Sequence, residues 1–307
     1  MIRNNLSCID LDQPSLEGFS KFISFWLYRD EKITFVVDPG PLSTITRLLE
    51  ELSHRDVEEL DYILLTHIHI DHAGGTGELL QHYPAARVIC HPEGINHLIN
   101  PEKLWHGSQK VLGKLAEAYG EIKPVPADRL SFEDEIGATG IRSFLTPGHA
   151  QHHCCYLVAD LLFGGEVAGV HYPLANGIYM RPATPPKFIL EIALNSLQKM
   201  VDLQPRALVI AHYGLVEPAT DYLKISQKQL KLWVKGVYQT GYYKGYCSRQ
   251  DIIDWLLTND PYLIPQQLDQ DIQQRENYFL DNSLRGMSDF VGKLTDEERS
   301  NLINHLL

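Results

Sequence analysis

The stretch LLTHIHIDHAGG, residues 64 to 75, sets three histidines and an aspartate within six positions directly behind an apolar run. A chain leaving a buried strand through a turn can present His67, His69, Asp71 and His72 to two adjacent points, because extended residues alternate faces. A helical zinc motif would instead space its histidines four apart. The preceding DYILLT supplies the strand, and Gly74 and Gly75 supply the backbone freedom expected of the turn that follows. The alternative, separate hydrogen-bonded histidines in a polar loop, suits any one of these residues better than all four. The segment therefore predicts a metal site at the end of a strand.

What surrounds it is an α/β pattern. Up to about residue 216, the short β-like runs FISFWLY, KITFVVD, DYILLT, ARVICH, CCYLVA and ALVIAH alternate with helical segments and loops. One predicted helix runs from Thr44 to Leu52 with Ser43 as N-cap, and another starts near Pro101. From about Asp221 the pattern is helical. Leu223, Leu230, Val234 and Val237 form one apolar stripe and Leu280, Leu284, Met287 and Val291 another. Ser248 with Asp251, and Thr295 with Glu298, read as capping boxes.

Charge and hydropathy narrow the partners. Lys plus Arg number 27 against 39 Asp plus Glu, a net charge of −12 that repels phosphate backbones, so nucleic acid is not an expected partner. The longest apolar stretches fall far short of a membrane span, and MIRNNLSCID lacks the apolar block of a signal peptide. No membrane partner is expected, and a cytoplasmic location is. The five cysteines are odd in number, lack CxxC spacing and read as reduced thiols, with the vicinal Cys154 and Cys155 as buried apolar residues.

HxHxDH behind a strand resembles the signature of the metallo-β-lactamase-fold superfamily. Three further segments match in order. VVDPG carries Asp38 in an Asp-x-Gly element, FLTPGHAQHH carries His149 in a Pro-Gly-His turn, and ALVIAHYG ends a strand at His212. The matches run from residue 32 to 214 and leave the helical tail unmatched. The resemblance implies a four-layer αβ/βα sandwich, two mixed sheets face to face with helices outside, carrying a C-terminal helical extension. We divide the chain accordingly into a catalytic domain over 1–217 and a helical extension over 218–307. In placement, though not in motif, the tail is similar to the helical part of hydroxyacylglutathione hydrolases, where it would cap the site or form a dimer contact.

Carried over residue by residue, the resemblance assigns His67, His69 and His149 to one metal and Asp71, His72 and His212 to a second. The family bridges the two with an aspartate, whereas LLFGGEVAG puts Glu166 at that position. The extra methylene moves the carboxylate by about one bond length, a large step against metal–ligand distances of roughly 2 Å. Gly164 and Gly165 would let the backbone retreat. Without a retreat, the second metal weakens or the pair prefers iron or manganese, and the other reading of Glu166 is a salt-bridged surface residue. His153 is expected to support the site by a hydrogen bond, while His152 and His171 are weaker candidates to approach it.

Such a site implies a hydrolase. Two divalent ions, zinc first with iron or manganese as alternatives, would poise a metal-bound hydroxide, with Asp71 orienting it, to attack a small ester, thioester or lactone. Two other classes remain open: a mononuclear iron oxidoreductase similar to the persulfide dioxygenases, and a metal-bearing binding protein without turnover. The loop over residues 170–188, rich in proline and aromatics, is expected to border the site, with Arg181 either gripping a substrate anion or paired locally. The expected partner is a small-molecule substrate, with a homodimer as a further expectation.

Overall fold

The computed structural model describes residues 5–306. Among these residues, six strands form a first mixed sheet in chain order: β1 (Leu6–Asp10), β2 (Ser24–Arg29), β3 (Thr34–Val37), β4 (Tyr62–Leu64), β5 (Arg87–Ile89) and β6 (Leu130–Ser131). The first three run antiparallel and the rest parallel. The second sheet draws on β7 (Glu135–Ile136), β8 (Ile141–Leu145), β9 (Cys154–Val158), β10 (Leu161–Phe163), β13 (Ala207–Ile210) and β14 (Gly214–Val216). Its order is β14-β13-β10-β9-β8-β7, with β10 and β13 parallel. A hairpin of β11 (Val170–Leu174) and β12 (Gly177–Arg181) stands apart.

Strand alternation builds the layers. In β2, Trp26 and Tyr28 face the core between the sheets while Phe25 and Leu27 face helices outside the first sheet. In β9, Cys154 and Tyr156 turn to the inter-sheet core, whereas Cys155 and Leu157 turn to helices outside the second sheet. Both faces are dry, which is why these strands read as unbroken apolar runs. The first sheet is covered by helices that include α1 (Ile45–His54), α2 (Ile70–Ala73), α3 (Thr76–His82), α4 (Pro92–Ile99), α5 (Glu102–Leu112) and α6 (Lys114–Tyr119). The second is covered by α7 (Leu190–Asp202), α8 (Ala219–Gln239), α9 (Arg249–Asn259) and α10 (Gln270–Lys293), with α11 (Asp296–Leu306) against α8. The αβ/βα sandwich with a helical C-terminal region is thus the observed architecture. No helix among the described residues is long and apolar enough to cross a membrane.

Both apolar stripes of the tail are buried, and both capping boxes form, Ser248 with Asp251 and Thr295 with Glu298. The tail helices and the second sheet share one apolar core. Two local expectations fail. Ser43 does not cap α1, because its hydroxyl is engaged with Gln13 and a short 3-10 turn over Leu42–Thr44 delays the helix to Ile45. Residues 170–181 are not loop but the β11–β12 hairpin, and its exit at Arg181 lies in the protein interior.

Candidate metal centre

Strand directions bring the chemistry to one edge. β10 and β13 are parallel, so Glu166 and His212, each just beyond a strand end, emerge together. β8 runs the same way as β10, since each is antiparallel to β9, and delivers the 146–153 turn to that edge. β4 of the facing sheet ends at Leu64, and the Cys154 N–H donates to the Thr66 carbonyl across the gap at 2.6 Å. His69 is still extended and caps α2, so His67 and His69 share one face while Asp71 and His72 turn onto the first helical residues. Gly74 and Gly75 do not supply the expected unusual backbone angles. Gly75 has φ −83° and packs where a Cβ would fall 3.1 Å from the Gly40 carbonyl and into the Ile45 side chain.

The candidate residues converge as two groups: His67, His69, His149 and Glu166 in one, Asp71, His72 and His212 in the other, with ligand-capable atoms within 4.8 Å of one another in each. Glu166 reaches beyond its own group. Its Oε2 lies 2.9 Å from His149 Nε2, 3.3 Å from His67 Nε2 and 3.5 Å from His72 Nε2, and its Oε1 lies 3.8 Å from His212 Nε2. Glu166 is buried, not a surface ion-pair residue. Gly165 makes this reach feasible: it adopts φ +53°, and a Cβ there would press within 2.7 Å of both His153 Nε2 and Thr66 Oγ1. The Glu166 N–H then donates to His153 Nε2 at 3.1 Å, and His153 Nδ1 donates to Thr146 Oγ1 at 2.9 Å. His153 therefore supports the carboxylate from behind.

Hydrogen bonds at the outer ring nitrogens aim the inner ones. His149 Nδ1 donates to the Ala183 carbonyl (3.0 Å) and His212 Nδ1 to the Phe22 carbonyl (2.9 Å), and a carbonyl can only accept, so in each neutral ring Nε2 presents a lone pair inward. Thr66 Oγ1 donates to Asp38 Oδ2 (2.6 Å) and so accepts from His67 Nδ1 (3.1 Å). His67 Nε2 is then a buried acceptor with no donor, facing the Glu166 carboxylate. Two acceptors 3.3 Å apart in a dry site call for a cation between them, and imidazole and carboxylate are what zinc, iron and manganese accept. The residues present fit the metal pair.

Electrostatics agree with the grouping. Burial, reinforced by His72, holds His67 neutral well below the usual imidazole range, and burial with His149 and His152 brings His69 down to about 3. Burial opposes the charge of Glu166 too, but His149 and His212 outweigh it and keep the carboxylate ionised. In the second group, burial works against His72⁺, yet Asp71, Asp38 and Glu166 raise it well above its ordinary value. Asp71 stays ionised against burial because His72 and His212 face it.

Other expectations resolve differently. His152 approaches the first group without joining it, its ring 5.5 Å from that of His69 and its Nδ1 accepting from the Ile68 N–H at 3.4 Å, while His171 lies outside both groups with its Nδ1 donating to the Tyr213 carbonyl at 2.6 Å. Arg181 grips no substrate anion. It is buried and paired with Glu276 of α10. Sequence reading missed Thr66, Phe22 and Ala183. Thr66, adjacent to His67, left a local signal, whereas Phe22 and Ala183 meet their histidines through main-chain carbonyls far away in sequence.

Comparisons with known proteins extend this picture. A family model described as the metallo-beta-lactamase superfamily matches residues 21–212. A metallo-beta-lactamase fold-containing protein of Sulfurisphaera tokodaii is 34% identical over 223 residues, 69% of this chain and 79% of the relative. The hydroxyacylglutathione hydrolase of Aeromonas hydrophila is 33% identical over 147 residues, which cover 46% of this chain and only 44% of that enzyme. Among solved structures, an archaeal metallo-beta-lactamase superfamily protein from Sulfolobus tokodaii superposes with a TM-score of 0.69 at 28% identity, covering 92% of this chain and 98% of its own.

Proposed function

The chain belongs to the metallo-beta-lactamase superfamily, and from that premise we propose that it is a binuclear metal-dependent hydrolase of a small ester, thioester or lactone. The observation that carries this reading is the position of Glu166, whose carboxylate stands within 3.8 Å of histidines from both groups. His67, His69 and His149 would hold one divalent ion and Asp71, His72 and His212 the other, with Glu166 between them. Zinc is the first choice, with iron or manganese as alternatives. Such ions, when bound, acidify water toward neutral pH and polarise a carbonyl.

The chain's own residues do the rest. The neutral rings of His67 and His69 leave most of the cationic charge uncompensated, which favours an ionised nucleophile. Asp71, whose side chain keeps 18% exposure beside the buried His72, orients the attacking water. The relatives named hydroxyacylglutathione hydrolases favour an acyl-transfer substrate, and the net charge of −12 favours a small molecule over a polyanion.

The test is metal content per chain by mass spectrometry, on protein purified without chelator or histidine tag, together with hydrolysis of a thioester and lactone panel. Two equivalents with hydrolysis support the proposal. One equivalent of iron without hydrolysis turns the reading to oxygen-dependent chemistry, and metal without any turnover turns it to a binding protein.

A further inference from the structure

The two carbonyls that aim His212 and His149 are both held by the same tail helix, α10. Phe22 stacks on the His212 ring with centroids 4.2 Å apart and planes at 23°. Phe279 of α10 stacks on Phe22 in turn, at 5.3 Å, and the Arg275 guanidinium lies 4.3 Å from the Phe22 ring centroid. Arg275 also donates from Nη1 to the Gly18 carbonyl at 2.7 Å, which fixes the loop that carries Phe22. Its Nη1 also reaches the Ser20 carbonyl at 3.5 Å, its Nε and Nη2 go to Glu276 at 2.9 Å, and Glu276 pairs with Arg181, so the cation is locked in place. Two turns further along α10, Ser283 Oγ donates to the Pro182 carbonyl at 2.8 Å and the Ser283 carbonyl accepts from Thr184 Oγ1 at 3.1 Å. Ala183 is trapped between those two bonds.

We propose that α10 is the positioning element of the metal centre: Arg275 and Phe22 set His212 for one ion, and Ser283 with Thr184 sets His149 for the other. This rests on the two-metal reading above. Neither Arg275 nor Ser283 touches a metal ligand; each acts through a main-chain carbonyl whose distance from the ring decides where Nε2 points. In this reading α10 is the rear support of the site, and its two contacts act on different ions.

Calorimetric titration of the metal-free full chain with Zn²⁺ in the presence of a competing chelator tests this, with thermal unfolding of each metal-free variant as the check on folding. Arg275→Leu and Phe22→Leu are expected to weaken one equivalent by about 10- to 100-fold while leaving the other within about twofold, the range that loss of a ligand-orienting partner produces. Phe22→Tyr, which keeps the ring stack, retains both. The double variant Thr184→Val/Ser283→Ala is expected to weaken the opposite equivalent by about tenfold. Phe22→Leu alone carries the first arm if Arg275→Leu does not fold. Two equivalents bound as in the wild type by all folded variants, or both weakened in parallel, overturn the proposal and leave the two-metal reading standing. A wild-type chain that takes up a single equivalent overturns both.

Discussion

Asp38 Oδ2 stands 3.4 Å from His72 Nδ1 while accepting, at 2.6 Å, the hydroxyl of Thr66 that orients His67. One buried carboxylate therefore sets a ring in each half of the centre. The same residue accepts the Thr66 N–H at 2.8 Å through Oδ1, which ties it to the end of β4. Asp38→Asn removes the charge facing His72 and turns one acceptor into a donor. Both metal equivalents should weaken, by about 10- to 100-fold each, as read by competition with a chelator. Loss confined to one equivalent would show that Thr66 orients His67 unaided.

Shortening Glu166 tests its proposed place between the two ligand groups. Glu166→Asp withdraws the carboxylate from at least one group, because the backbone is fixed by the bond from its N–H to His153. The expected result is a fall from two metal equivalents toward one, or a loss of hydrolysis of about tenfold or more. Unchanged stoichiometry and rate would remove Glu166 from the ligand set.

The two groups should differ in their response to pH. His72 is held protonated above the ordinary imidazole range, so its proton must leave before Nε2 can bind a cation, whereas His69, pushed down to about 3, and His67, also lowered, have none to lose at neutrality. Affinity for the ion at His72 thus falls as pH falls, by about tenfold per unit for one displaced proton. Titrations in two buffers of different ionisation enthalpy at pH 7 should show about one proton released with that equivalent. Release of none would mean that His72 is already neutral.

Deleting the carboxylate between the two buried arginines should be costly for stability. Glu276→Leu leaves Arg181 and Arg275 charged and buried without their shared partner. A loss of about 3–5 kcal/mol is expected, seen as a lower denaturant midpoint for the metal-free chain. An unchanged midpoint would mean that water takes over the role of Glu276.

Much of this was legible in the sequence because the strands that carry the site are buried on both faces and so read as short apolar runs. Runs such as YILLT and ALVIA, each followed at once by a histidine, mark where a sheet edge must be, and the HIHIDH spacing separates two ligand groups by the change from extended to helical backbone. The turn chemistry was less legible: Ser43 looks like a cap until Gln13, distant in sequence, claims its hydroxyl. Arg181 looked like a surface cation because its partner Glu276 lies 95 residues away. The orienting carbonyls of Phe22 and Ala183 left no trace, since a main-chain acceptor is the same at every residue.

The long reach of these contacts also orders events during synthesis. His72 meets His212 140 residues later, and Gly18 waits 257 residues for the guanidinium of Arg275. HIHIDH therefore leaves the ribosome long before the segments that hold its partners, His212 and the helix α10. Because α10 also shares its apolar core with the second sheet, a chain cut before residue 270 should lose the fold together with the metal centre, seen as loss of cooperative thermal unfolding.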